Sequence, residues 1–146
     1  ALGEIVKAVH AVRAKKGETP FAQWSAFRLE SLSGYKLPHG YAVSIGICID
    51  LGYAVEKGAL KPADRDRVLG LLGRCGALDG LNHSGHLVTQ VENLLFGLDA
   101  WALSSGSTAI AVPHGIGKSK DDPEPDRALL GAVLKNLPKP PQSAEI

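Results

Sequence analysis

Aromatic residues are scarce in this chain of 146 residues. Three Phe, two Trp and three Tyr make up only 5% of it, so the core must be built from Leu, Val, Ile and Ala. Long runs of basic residues are also missing, and the 16 Lys and Arg residues are nearly balanced in charge by 15 Asp and Glu. A nucleic-acid-binding surface needs a basic patch, and single-stranded targets need aromatic platforms as well. We therefore expect no nucleic-acid partner.

Long hydrophobic segments are absent too. The most apolar stretch, residues 42–55, is shorter than the roughly 20 residues needed to cross a bilayer, and no signal peptide is visible. This predicts no membrane association and a cytoplasmic location. In that compartment Cys48 and Cys75, both in apolar surroundings, are predicted to be buried free thiols. The chain has no Met and begins at Ala1, which leaves open whether it is a fragment, a cleavage product or a chain given without all of its residues.

Nucleotide-binding motifs are missing as well. No G-x-G-x-x-G follows a predicted strand, no P-loop occurs, and strands do not alternate with helices. The chain alone therefore offers no dinucleotide site.

Helical periodicity dominates what is present. We predict one helical domain over residues 1–137 and a flexible, proline-rich tail over 138–146. Residues 73–85 are predicted to be a loop in which Ser84 caps the next helix, and 113–125 to be a polar loop. STAIAV, residues 107–112, predicts a strand that could pair with 102–103. The predicted helices cover residues 2–15, 22–33, 41–57, 62–73, 86–97 and 125–136. The fold class is mainly α, with one short strand or hairpin.

The segment LPHGYAVSIGICID, residues 37–50, is the most informative one. It places His39 at the mouth of a helix that is apolar almost all round and must therefore be buried. An imidazole at a helix N-terminus can ligate a metal, bind an anion or move a proton. A capping or loop histidine bonded to the backbone is the simpler alternative. Asp50 is the only charge within 42–55, and it needs a partner such as an Arg, or a place at a cleft rim.

Two further groups carry weaker signals. His83 and His86, in NHSGH, could form a two-ligand metal site, but no Cys or carboxylate stands at ligand spacing, which favours ordinary loop histidines. Within PHGIGK, Gly115 and Gly117 could present amides to a phosphate beside Lys118, or could simply supply a turn. Lys118 is thus a candidate substrate contact.

The segment FAQWSAFRLESLSGYKLPHGYAVSIGICID, with STAIAVPHGIGK further on, resembles the C-terminal domain of the dehydroquinate synthase superfamily. These sugar-phosphate cyclases join an N-terminal nucleotide-binding domain to a helical C-terminal domain. Their motif is Gly-His, three residues, His, two residues, Glu, then His-Gly-Glu-Ala-Val before a long apolar helix. The resemblance implies the fold of that helical domain.

At the positions that match the family's metal ligands and substrate contacts, this chain carries mostly different residues. In the family two histidines ligate the metal, with a third, acidic ligand from the side of the N-terminal domain; here these two positions are Gln23 and His39. An amide is a weak Zn²⁺ ligand, so a solvated Gln23 is the simpler interpretation. The family's substrate-side histidine is Phe27, and the Glu of its His-Gly-Glu is Tyr41. The family's lysine contact to phosphate falls near residues 99–101, where no Lys stands.

Two functions follow from the resemblance. The chain could be the helical half of a dehydroquinate-synthase-like cyclase, a carbon–oxygen lyase, with NAD supplied by an N-terminal nucleotide-binding domain or partner chain. His39 would then help to hold Zn²⁺ or Co²⁺, steered by Glu30 and Asp50. Alternatively, the chain is a non-catalytic relative that acts in binding or assembly. A homodimer is compatible with either.

Overall fold

The computed structural model describes residues 21–137, which fold into a helical domain with one small hairpin. The predicted mainly α class is confirmed. The predicted helix at 2–15 and the tail at 138–146 lie outside the described residues, so the boundary at 137 stays a prediction. The helices are α1 (Gln23–Leu32), α2 (His39–Glu56), α3 (Pro62–Arg74), α4 (Gly80–Val88), α5 (Val91–Ser105) and α6 (Arg127–Lys135), and the strands are β1 (Ile110–Pro113) and β2 (Ser119–Asp122).

Helix α2 forms the centre of the domain. Its apolar surface is covered by α1, α3, α4, α6 and β1, and side chains such as Ile45, Ile49 and Tyr53 are completely buried. Because the apolar stretch of this helix carries a single charge, the helix is expected to be buried on nearly every side. The helix begins at His39, two residues before the predicted start, because Pro38 occupies the N-cap in an extended conformation.

The predicted loop at 73–85 is wrong. A 3₁₀ turn covers Ala77–Asp79, and α4 follows it at once, so Ser84 lies inside a helix rather than before one. Glycine and short polar residues have poor intrinsic helix propensity, and tertiary contact overrides it here. Glycine at position 80 allows α4 to approach α2 closely, since a Cβ there would lie 2.7 Å from the Cβ of Tyr41 on α2.

The predicted strand is confirmed in part, whereas its suggested partner at 102–103 is wrong. Those residues belong to α5, which ends where Gly106 adopts φ +77°. The partner of β1 is β2, antiparallel, within the segment predicted to be a polar loop. β2 is SKDD and mostly exposed, a sequence with low strand propensity, so pairing rather than propensity determines its conformation. Gly115 and Gly117, both at positive φ, shape the turn.

Tyr53 joins the hairpin and α6 to the central helix. Its hydroxyl donates to Asp122 Oδ2 at 2.6 Å and accepts from the amide of Asp126 at 2.9 Å. Burial, and then the neighbouring Asp122 carboxylate, raise the pKa of the Tyr53 hydroxyl. Asp126 in turn caps α6 by accepting from the amide of Leu129. The last predicted helix is thereby confirmed and anchored to α2.

Helices α1 and α5 approach closely at Gly97. A Cβ at this position would lie 2.7 Å from Cβ and 2.8 Å from Cγ of Arg28. We expect Gly97→Ala to lower the free energy of unfolding by about 1–3 kcal/mol, because those atoms lie next to the α1 backbone and have little room to move. Urea unfolding measures this. Gly131→Ala on α6 is the control, since its nearest neighbour would be at 3.5 Å, an ordinary contact; equal losses in both variants would contradict the explanation.

The two cysteines are free, as predicted, but only Cys48 is buried while Cys75 is half-buried. Burial raises the pKa of the Cys48 thiol to about 12. Among residues 21–137, no helix has the length and apolarity required to cross a bilayer.

Candidate functional site

The imidazole of His39 lies at the mouth of α2 and is paired with a carboxylate. Its Nδ1 forms a hydrogen bond with Oε1 of Glu30, near the end of α1. Because an ionised carboxylate only accepts, the bond requires a proton on Nδ1 and leaves Nε2 as the outward nitrogen. The His39 side chain is 56% exposed and that of Glu30 17%. The pair thus presents an oriented imidazole at the surface.

The loop between α1 and α2 brings these two residues together. Gly34 and Tyr35 both adopt positive φ, which reverses the chain, and the Tyr35 amide donates to the Glu30 carbonyl at 2.8 Å. Ser33 Oγ also donates to that carbonyl, at 2.9 Å, and accepts from the amide of Leu37 at 3.1 Å. Three hydrogen bonds within one turn therefore hold His39 beside Glu30.

Gln23 is buried, with 1% of its surface exposed, so the interpretation as a solvated helix residue is wrong. Its Nε2 donates to the carbonyl of Phe21 at 3.3 Å. The side chain thus takes part in the packing of α1 against the core. Its role as a substituted ligand stays a prediction.

Phe27 stands one helical turn before Glu30 on the same side of α1. It is 43% exposed, and its ring meets that of Trp101 on α5, with centroids 5.7 Å apart and planes tilted by 42°. Neither ring can ligate a metal or relay a proton. The surface next to the Glu30–His39 pair is therefore aromatic.

Asp50 lies elsewhere. It is 11 residues beyond His39, about three helical turns or roughly 16 Å along α2. Neither an Arg nor a cleft rim is its partner: Oδ2 accepts from the amide of Ala22 at 2.8 Å and Oδ1 from the indole of Trp24 at 3.1 Å. Asp50 thus anchors the beginning of α1, and the expectation that it steers His39 needs correction.

The environment of Asp50 is unusual for a carboxylate. The side chain is 1% exposed, and burial raises its pKa to about 7 even though the hydrogen bonds from Ala22 and Trp24 oppose the shift. Ala22 adopts φ +65°, a left-handed conformation that is costly without glycine and persists where surrounding contacts demand it. The sequence pointed to Asp50 as the only charge in an apolar helix. It did not reveal which groups donate to the carboxylate.

The remaining candidates are separate features. Lys118 is exposed at the end of the hairpin turn, where its carbonyl accepts from the His114 amide at 2.9 Å and its amide donates to the Gly115 carbonyl at 3.4 Å. Its role as a substrate contact stays a prediction. His83 and His86 lie on α4, and only their backbone is described. Among the side chains that the structure describes, which exclude those of residues 83–86, no three His, Cys, Asp or Glu are grouped so as to hold a metal ion.

Comparison with known protein families gives a match over half of the chain. The family described as 3-dehydroquinate synthase C-terminal matches residues 21–93, which span α1 to the beginning of α5 and include the Glu30–His39 pair. Neither the curated proteins nor the solved structures contain a significant match.

Proposed function

The chain belongs to the family of 3-dehydroquinate synthase C-terminal domains, and on that premise we propose that it is the helical half of a dehydroquinate-synthase-like sugar-phosphate cyclase. In this proposal an N-terminal nucleotide-binding domain, or a partner chain, supplies NAD, which takes up and returns a hydride. The reaction class is that of a carbon–oxygen lyase acting in the cytoplasm.

The observation that carries the proposal is the Glu30–His39 hydrogen bond. A carboxylate behind Nδ1 fixes the tautomer and the ring orientation of a histidine, and this arrangement recurs behind metal-ligating imidazoles. Nε2 is then free to bind a cation or to exchange a proton with a substrate hydroxyl. Because the side chain is more than half exposed, that nitrogen is open to a cleft completed by another domain.

The residues described here fit one metal ligand rather than a complete site. Gln23 is buried and bonds through its amide to a carbonyl, and Phe27 has no ligating atom. A divalent ion held by His39 would need further ligands from outside residues 21–137. When bound, such an ion would polarise a substrate oxygen. The part that this chain itself plays is to hold one imidazole at a fixed angle.

A titration with Zn²⁺ or Co²⁺ tests this role. We expect the natural protein in its full length, which supplies the further ligands, to bind, and His39→Ala to lose binding. Glu30→Gln should bind about 10–100-fold more weakly, because a neutral amide oxygen accepts from Nδ1 more weakly than a carboxylate does. Isothermal calorimetry gives the affinities, and Co²⁺ absorption reports the ligand set. His114→Ala is the matched control, an exposed histidine in the hairpin turn. Equal affinity in wild type and His39→Ala would contradict the proposal.

A second function is favoured by a different observation. Phe27, at the position of the family's substrate-side histidine, pairs with Trp101 in a half-exposed aromatic contact, and Tyr41 replaces the Glu of the second motif. These replacements suit a non-catalytic relative that serves in binding or assembly. The natural protein in its full length separates the two functions: cyclase turnover with NAD supports the first, whereas a folded protein that binds neither metal nor NAD supports the second.

A further inference from the structure

Tyr35 is held in a backbone conformation that does not suit its side chain. It adopts φ +62° in the turn between α1 and α2, directly after Gly34 at φ +63°. A bulky residue is an outlier in this left-handed region because its Cβ crowds the neighbouring carbonyl oxygen, whereas glycine or asparagine fits with less strain. Such strain persists only where the surrounding structure or a function demands that residue.

Ala22 is the other non-glycine residue at positive φ within residues 21–137, and its strain has a structural explanation. Its side chain is 0% exposed in the core, and its amide donates to Asp50 Oδ2 at 2.8 Å. Packing and a buried hydrogen bond therefore account for the conformation of Ala22.

Neither explanation extends to the side chain of Tyr35. The residue is 79% exposed, and its hydroxyl makes no hydrogen bond with any other residue of the described chain. The amide of Tyr35 does donate to the Glu30 carbonyl at 2.8 Å, but any residue other than proline would supply the same amide. The packing of this domain thus does not account for a tyrosine at position 35.

The position of Tyr35 connects it with the candidate site. The turn that contains it joins Glu30 to His39, so Tyr35 stands at the end of the domain where the two side chains meet. The hydrogen bonds of Ser33 to the Glu30 carbonyl and from the Leu37 amide fix the backbone on both sides of it. The Tyr35 ring therefore starts from a fixed point beside the exposed imidazole of His39.

We propose that Tyr35 contacts the ligand that His39 receives and is a specificity-determining residue for a polyhydroxylated substrate, an inference that rests on the proposed function of the Glu30–His39 pair. The phenol ring offers an apolar face to the C–H groups of a sugar, and its hydroxyl both donates and accepts hydrogen bonds. Because the backbone of the turn is already ordered, the contact costs little additional ordering when the ligand binds.

The test combines a binding measurement with a stability measurement on the natural protein in its full length. Saturation-transfer NMR and calorimetry with a panel of aldose and ketose phosphates report binding, and urea unfolding reports stability. We expect Tyr35→Asn to bind about tenfold more weakly than wild type, because it loses the ring and the hydroxyl together. Its urea midpoint should equal or exceed that of wild type, because asparagine tolerates the left-handed conformation.

Two further variants separate the contributions. Tyr35→Phe keeps the ring and should lose only the part of the affinity that the hydroxyl supplies. Leu71→Asn is the control, at an exposed apolar position on α3, and should bind like wild type. In turnover with NAD, Tyr35→Asn should raise KM about tenfold and leave kcat nearly unchanged, as expected for a residue that binds the substrate and its transition state equally.

Two results would overturn the inference about Tyr35 alone: a Tyr35→Asn protein that binds and turns over sugar phosphates like wild type, or one whose weaker binding is accompanied by a lower urea midpoint. The second result would assign Tyr35 a structural role. A wild type that binds a sugar phosphate without turning it over, and binds it more weakly after Tyr35→Asn, would support this inference and contradict the cyclase function. A wild type that binds no member of the panel would contradict both.

Discussion

Replacing Gly46 by alanine is expected to cost about 3 kcal/mol or more of the free energy of unfolding. A Cβ at this position in α2 would lie 2.5 Å from the carbonyl oxygen of Ala22 and 2.9 Å from Oγ of Ser25. The first contact is with backbone, which cannot swing aside as the end of a side chain does, so α1 and α2 must separate. Ala22 itself is held in a left-handed conformation and has little freedom to adjust.

Urea unfolding measures this loss. Gly70→Ala and Gly52→Ala, measured in the same way, are the controls. Gly70→Ala, on α3, introduces a Cβ with no atom within 4 Å and is expected to stabilise by up to about 1 kcal/mol through helix propensity. Gly52→Ala, on α2, would meet only the Cγ1 of Val133 at close range, a side chain that can rotate, so its loss should be smaller. A Gly46→Ala protein as stable as wild type would contradict the packing described for α1 and α2.

Stability is expected to fall as the pH rises from about 5 to about 7. The Asp50 carboxyl has a pKa of about 7 in the folded chain against 3.8 for an ordinary Asp. Between these values the folded chain keeps a proton that the unfolded chain has released, so each pH unit costs up to about 1.4 kcal/mol of the free energy of unfolding. Between pH 5 and pH 7 the loss is on the order of 2–3 kcal/mol, and the dependence on Asp50 levels off above pH 7.

The comparison of wild type with Asp50→Asn isolates this effect. The amide cannot ionise, so the variant loses the slope contributed by Asp50, while every other titrating group contributes equally to both proteins. It is also less stable at low pH, because an amide nitrogen replaces one of the two oxygens that accept from Ala22 and Trp24. Urea unfolding at several pH values from 5 to 8 gives the slopes. Equal slopes in the two proteins would show that Asp50 does not titrate in this range.

Periodicity was enough to predict the central helices. The long apolar run that becomes α2, and the stripe of α3 that begins at Pro62, carry strong helical signals with clear ends. Their predicted boundaries lie within two residues of those observed. Burial of α2 also followed, because a helix without a polar face has no stable position at the surface.

Predictions from local composition were wrong where tertiary contacts determine the secondary structure. The sequence before Leu87 is rich in glycine and short polar residues, yet α4 forms because Gly80 fits against Tyr41 on α2. β2 has no strand signal of its own, and pairing with β1 determines its conformation. Such long-range contacts leave no periodic trace in the sequence.

The site was predictable in part. The resemblance placed Glu30 and His39 in neighbouring motifs, and the structure brings the two side chains into contact. The partner of Asp50 could not be found in the same way, because Ala22 and Trp24 are 28 and 26 residues away and neither carries a charge. An acceptor satisfied by an amide and an indole gives no signal of charge complementarity in the sequence.

The most direct test of the account is the protonation pattern of the His39 ring, measured by long-range ¹H–¹⁵N NMR correlation at neutral pH. In wild type we predict a proton on Nδ1, donated to Glu30, and an Nε2 that is open to ligands. Glu30→Ala removes the acceptor and should shift the tautomer toward Nε2–H, the form that usually dominates in a free histidine side chain. A wild-type ring protonated only on Nε2, or a pattern that Glu30→Ala leaves unchanged, would contradict the claim that Glu30 orients His39 for function.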